Sequence, residues 1–513
     1  MDTTTPRTTE DPGVQHNAAL PELLAAPHLV DVTADGMLGL ALWLAGTGAS
    51  VTGSVPPALA DSPAVATLRI AGVHVDVGFE ARHVHSDRTA VVWSTAVTWS
   101  HPELDEAQQR RIPVLGRADA LTEIAAHAGE RTVAVGGSHG TATAAAALAA
   151  ALDDGTTGWI LTAAGRGQSV GGSGATQGRL VVDVCPDAGT HEAPPPGGWQ
   201  RRPKPHYARR RPAPSCALIL TVGANSPHFV DNLDALNAAE QLALSARAVV
   251  LPTWNRGITN LRERLTDRAR NRLPVPRMFT VGLDRDADVR ILPPEWTGTE
   301  HRVTLRHNGE MHLFVLPVIG RAQALAVCAA IATALVLGES ADAVAERLRH
   351  FGVARSLTVL GRQAGITVVE SRARHPREVA DEVIAARVIA KGAVITVLEP
   401  DGVARTRAHA HELGAALDSA DRVLLLPVHT PLDQVLDVDG PLDDVHRSAC
   451  RVVGDDAVHR LRTAPGAHGA AQQIAELVGP GDLVLLIGPA RAARIGPYLL
   501  AHLAAGAPVQ GQL

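Results

Sequence analysis

Aromatic side chains are scarce, 3% of 513 residues, so the cores of this chain have to be filled mainly by Ala, Val and Leu. Cysteine is sparse as well. Cys185, Cys216, Cys328 and Cys450 stand far apart, which excludes the paired spacings of zinc and dithiol redox sites. No apolar run approaches the ~20 residues that a membrane helix needs. The N-terminal stretch MDTTTPRTTEDPGVQHNAALPELL lacks the basic start, apolar run and small-residue cleavage site of an export signal. It reads as a flexible tail over residues 1–27, and the cytoplasm is the expected compartment. Neither sign of charge dominates, with 47 basic against 53 acidic residues and a net charge of -6. Neither nucleic acid nor a membrane is therefore expected as a partner.

What is present is 46% hydrophobic and 19% charged, with 47 Gly and 34 Pro, the composition of a soluble globular protein. A chain of 513 residues exceeds what one hydrophobic core serves, so several domains are needed. From His28 onward short β-rich runs alternate with helical ones: LVDV, GMLGLALWLAGTG, ASVTGSV, VHVDVG and TAVVWSTAV. That alternation predicts a parallel sheet with crossover helices over residues 28–128.

A second unit, residues 129–355, opens with RTVAVGGSHGTATAAAALAAAL and continues through RLVVDV, CALILTV and ARAVVLP. It closes with ALAVCAAIATALVLG, which suits a buried helix, and with SADAVAERLRHFG, whose N-cap is Ser340. The third unit, residues 356–513, carries GITVVES, AVITVLEP, DRVLLLPV and GDLVLLIGP as strands. Each ends in a turn of the kind where open α/β sheets bind ligands. The fold class is α/β: three consecutive α/β domains, Rossmann-like, P-loop-type and Rossmann-like. Residues 186–215 are rich in Pro and Arg and almost free of aliphatic side chains, so they cannot build a core. Two readings are open for them. They are a solvated insertion, or a basic flap, with Arg209, Arg210 and Arg211, over an anionic ligand or a protein partner.

The segment VAVGGSHGTAT, Val133–Thr143, has the context of a phosphate-binding loop, a buried strand passing through a glycine turn into a helix. Backbone N–H groups and the helix dipole favour an anion there. Gly137, Ser138, His139, Gly140, Thr141 and Thr143 form this loop. The working motif ends in Gly-Lys-Ser/Thr, the lysine reaching the outer phosphates and the hydroxyl binding magnesium. Here the corresponding residues are Gly140, Thr141 and Ala142, so no catalytic residue of the loop is intact. Losing one electrostatic donor of this kind costs about 10²–10³ in rate. His139 either shapes the glycine turn or contacts a ligand.

GGSHGTAT resembles the GTHGKTT loop of the Mur ligase family, and other segments follow that family's order, most like its UDP-N-acetylmuramate–L-alanine ligase branch. VVWSTAVTWSHPEL and RRIPVLGRADAL are similar to VVxSSAI..NPEL and GIPVLHRAEAL. ESRARHPREV, EPDGVARTR and GPGDLVLLIGPA resemble DDYAHHPTEI, QPHRYSRTR and PGDLVLxxGAG. The resemblance spans about residues 28–505. It implies a UDP-sugar-binding first domain, a central ATPase domain and a C-terminal domain that brings the amino acid. It also implies ATP and magnesium as cofactors, activating a carboxylate as an acyl phosphate that an amine displaces.

Departures from the family's motifs cluster where the chemistry lies. On the UDP-sugar side, Gly36 and Met37 remain of the glycine-rich turn, with Ser94 and Arg117 from the later motifs, while Asp31 has the wrong sign for a phosphate. The acid that helps to hold magnesium becomes Pro186, leaving Asp183 and Asp187 as the nearby carboxylates. Of the motif around GANSPH only His228 survives, and the adenine-side asparagines are replaced around Gln323 and Ala326. Arg355, His375 and Arg405 survive around the central and C-terminal cleft. Arg405 and Arg117 are either salt-bridge residues or anion ligands, and His228 a loop residue or a metal ligand. Two functions are therefore expected in turn. The first is a catalytically impaired homologue, a pseudoenzyme that binds a small anionic ligand (UDP-sugar-like or nucleotide) or acts as a scaffold. The second is an active ATP-dependent ligase in which the flap arginines replace the lysine.

Overall fold

The computed structural model describes residues 20–34, 36–94, 97, 100–165, 167–175, 177–184, 214–223, 231–298, 300–352, 357–429, 439–461, 466–489 and 491–506. Asp187, Arg209, Arg210, Arg211, His228 and Arg355 lie outside the described residues. Among the described residues the strands form three sheets, and the chain is α/β throughout. No described helix is long and apolar enough to cross a membrane.

In the first sheet all neighbours are parallel, in the spatial order His74–Val77, Thr52–Val55, Pro27–Val30, Ala90–Trp93, Val114–Gly116. The central strand Pro27–Val30 is buried at every position, as a parallel strand covered on both faces must be. It ends at Asp31, which turns the chain at φ 51°. The helix Met37–Gly46 then packs on the second unit. Gly39 is needed there, because a Cβ would come within 2.4 Å of the Leu161 carbonyl. One core consequently continues from Leu29, Leu40 and Leu44 of the first unit into Ile160, Leu180 and Val182 of the second.

The second sheet has a parallel centre running Gly158–Ile160, Leu180–Asp183, Thr132–Gly136, Cys216–Ile219, Ala248–Pro252, Arg277–Gly282, Val289–Ile291. Two alanine-rich helices, Thr141–Leu152 and Arg321–Val336, bury almost every side chain in the core beneath it. Small side chains let their backbones approach closely, which is how a chain poor in aromatics still fills its interior. Ser340 caps the next helix, Ala341–Leu348, accepting from the Ala343 N–H at 3.2 Å. The edges of this sheet are antiparallel: Gly171–Gly172 pairs with Gly158–Ile160 at one side, and at the other His301–His307 pairs with Val289–Ile291 and forms a hairpin with Glu310–Leu316. The hairpin's turn, Asn308–Gly309, has positive φ at both residues, as a two-residue hairpin turn requires.

The third sheet follows the order Thr358–Gln363, Ile366–Ser371, Leu483–Ile487, Val394–Leu398, Arg422–Leu425, Val458–Arg460. Only the first pair is antiparallel. Helix Pro376–Ile389 follows the second of these strands, and helix Val403–Ala415 follows Val394–Leu398. Both begin at the carboxyl ends of parallel strands, facing the phosphate loop.

Candidate functional site

The glycine turn between Thr132–Gly136 and Thr141–Leu152 is built as a loop that only glycine permits. Gly137 has φ 148° and Gly140 φ 74°, and a Cβ on Gly137 would lie 2.9 Å from the Thr221 backbone. The loop is pinned to the end of the neighbouring strand. Ser138 Oγ donates to the Gly223 carbonyl at 2.8 Å, and the His139 N–H donates to Thr221 Oγ1 at 3.0 Å. Thr141 opens the helix with a side chain only 3% exposed. Thr143 Oγ1 donates to Gln323 Oε1 at 2.9 Å, so that hydroxyl is engaged in the wall of the site.

A cleft of about 1180 Å³ lies over this loop and draws on all three units. The second unit supplies Ser138–Thr143, Trp254–Gly257 and Arg321–Gln323, and the third supplies Arg372–Glu378, Arg405 and His409. Arg117, from the end of the first unit, is an almost fully buried part of the wall. Helices Thr141–Leu152, Arg256–Arg270 and Arg321–Val336 all start at this cleft. Their first-turn N–H groups and dipoles make it favourable to anions. Seven arginines line it against the three carboxylates Glu378, Asp381 and Glu382.

The seam between the second and third units is polar and specific. Glu378 Oε1 accepts from the Gly140 N–H at 3.3 Å, placing a carboxylate of the third unit on the phosphate loop. The rings of His139 and His375 stack with centroids 5.2 Å apart. Gln323 Nε2 donates to Glu382 Oε1 at 3.1 Å. His375 caps its own helix, its Nδ1 accepting from the Arg377 N–H at 3.1 Å. Burial, and after it the neighbouring His139, pushes the His375 pKa down to about 3; burial also lowers those of His139 and His409. Arg405 Nη1 and Arg374 Nε share the Asp401 carboxylate, at 2.9 and 3.1 Å.

The structure therefore brings Ser138, His139, Gly140, Thr141, Thr143, Arg117, His375 and Arg405 into one cleft, with Gly137 shaping its floor. Gly36 meets Arg117, since a Cβ on Gly36 would lie 2.4 Å from the guanidinium; Arg117 Nη2 donates to the Asp183 carbonyl at 3.2 Å. Met37 is wholly buried core, and Ser94 is buried at the end of its strand. Asp183 is wholly buried, its Oδ2 accepts from the Thr162 N–H at 3.3 Å, and it is absent from the cleft lining, which its neighbour Thr162 joins. No group of three or more His, Cys, Asp or Glu suited to a metal occurs among the described residues. Arg256, Arg372 and Arg374 also line the cleft and were not singled out as site residues. The arginines of SRARHPRE were the available signal.

The model of the Mur ligase family catalytic domain matches residues 27–128. A UDP-N-acetylmuramate–L-alanine ligase of Streptomyces avermitilis is 30% identical, covering 94% of this chain and 98% of its own length. The chain belongs to the Mur ligase family. A ligase of the same name from Kineococcus radiotolerans is 33% identical over 94% of this chain and 97% of its own. Among solved structures, the UDP-N-acetylmuramate–alanine ligase of Thermotoga maritima superposes with a TM-score of 0.69, covering 94% of this chain and 100% of its own at 17% identity. A murein peptide ligase of Psychrobacter arcticus gives 0.67, with the same coverage and identity. For this Mur ligase family chain, these structural likenesses establish the fold.

Proposed function

We propose that the chain is an amide-forming ligase that joins the carboxylate of a UDP-muramate-like substrate to an amine. The observation that carries this reading is the single cleft to which all three units contribute, with the phosphate loop on its floor. The relatives that cover almost the whole chain bear the ligase name, and none of them supports the expected catalytic impairment.

ATP fits the cleft in part. The glycine cradle and helix N-termini suit phosphates, but Thr141 offers no cation. When bound, ATP supplies the activation of the substrate carboxylate. Arg256 and Arg321, at the first positions of long helices on the cleft wall, take the charge-neutralising role, since guanidinium groups bind phosphate oxygens bidentately. The third unit walls one side of the cleft, which limits the access of water that would otherwise compete with the amine. No step is assigned to magnesium: Asp183 is buried with its Oδ2 on the Thr162 N–H, and no group of three or more His, Cys, Asp or Glu suited to a metal occurs among the described residues.

One observation favours a second reading, a member that binds without catalysis: Glu378 occupies an N–H of a loop that already lacks its lysine. The two readings part in a coupled assay for ADP with ATP, UDP-N-acetylmuramate and a set of L-amino acids. The ligase releases ADP only when all three are present, and Arg256→Ala with Arg321→Ala lowers the rate about 100-fold or more. No ADP above a protein-free blank sinks the ligase reading.

A further inference from the structure

We infer that the third unit's wall of the cleft selects an amine partner carrying an extra negative group, an acidic amino acid rather than alanine. Calling the ligand the amine partner rests on the ligase reading; the selection itself rests on the wall.

Arg372, Arg374, Arg377 and Arg405 all line the cleft from this side. Two carboxylates answer them: Asp401, shared by Arg374 and Arg405, and Asp381, 3.9 Å from Arg377. Glu378 is turned to backbone, its oxygens accepting from the N–H groups of Gly140, Arg374 and His375. Arg372 and Arg377 are exposed to the cleft; Arg372 has no carboxylate partner among the described residues, and that of Arg377 is 3.9 Å away.

Buried donors point the same way. His375 is 8% exposed. Because its Nδ1 accepts the Arg377 N–H, the neutral ring carries its proton on Nε2, and that atom meets no acceptor among the described residues. Arg405 Nε is buried without an acceptor as well. A buried donor without a partner is costly, and both residues line the cleft. A ligand carboxylate beside His375 and Arg405 leaves Arg372 and Arg377 to bind a second anionic group. The second charge is this chain's own feature. The similar segment DDYAHHPTEI has Tyr, His and Thr where Arg372, Arg374 and Arg377 stand. An alanine methyl facing these guanidinium groups would satisfy none of them.

The test is calorimetric titration of the full chain with L-aspartate, L-glutamate, L-alanine and inorganic phosphate, at fixed ionic strength. The acidic amino acids bind about tenfold or more tighter than L-alanine, the worth of one added charge-assisted hydrogen bond. Arg372→Gln and, separately, Arg377→Gln bring that ratio towards one by weakening the acidic amino acids. Circular dichroism checks that both variants are folded. Equal or tighter binding of L-alanine overturns the inference, as does an unchanged ratio in both variants. Phosphate binding more tightly than either acidic amino acid also overturns it, since the arginines then serve phosphate. Should the acidic preference hold while no ADP is released with any amino acid, the selection stands and the ligase reading fails.

Discussion

Thr141 and Glu378 together decide how the phosphate loop behaves. A lysine at position 141 would reach into the cleft where Glu378 already accepts from the Gly140 N–H. In the present chain that carboxylate competes with any ligand anion for the positive end of the helix, an effect of about 1 kcal/mol at a partly buried helix terminus. Glu378→Gln keeps the cap of its own helix, because glutamine serves the capping box as glutamate does, but removes the charge. It is therefore expected to tighten ADP binding about fivefold in metal-free calorimetry. Thr141→Lys alone gains little, since the new ammonium pairs with Glu378. The double variant gains more than the two single gains combined. Affinities that simply add, or an unchanged Glu378→Gln, would show that the carboxylate does not occupy the anion position.

Helices and strands were legible to different degrees. The parallel strands of all three units stand as apolar runs, and the loop helix follows its glycines, because a strand buried on both faces leaves a plain signal. The hairpin His301–Leu316 was harder to read, since its first strand alternates Arg302, Thr304 and Arg306 with Val303 and Leu305, while the second turns Met311, Leu313 and Val315 outward. Of the site, the loop residues with His375 and Arg405 could be read from motif order. Glu378 on Gly140 could not, because that pair is 238 residues apart in the chain and only the docking of two units brings it together. The alanine-rich helices support an element-scale prediction. Ala147 and Ala329 are wholly buried in one cluster, where a larger side chain finds no room. Ala329→Leu is expected to destabilise the chain by about 1–3 kcal/mol, read as a lower urea midpoint. A variant at least as stable as the parent would mean that these helices are not closely packed.

The docking of the second and third units also makes the molecule sensitive to acid. His139 stacks on His375, and His409 lies with its centroid 6.2 Å from that of His375, with burial as the leading cause of each lowered pKa. In an unfolded chain a histidine takes up its proton near pH 6.5, whereas His375 does so only at about 3. Below pH 6.5 the unfolded chain thus binds more protons than the folded one, and stability falls as pH falls. Its full contribution is present above pH 6.5 and is lost progressively down towards pH 3. For His375 the slope approaches about 1.4 kcal/mol per pH unit, or roughly 2 kcal/mol between pH 7.5 and 5. Most carboxylates titrate below this range, so urea unfolding between pH 7.5 and 5 isolates the histidines. His375→Asn retains a good N-cap and is expected to flatten the dependence. A slope as steep in His375→Asn as in the parent would place the acid sensitivity outside this seam.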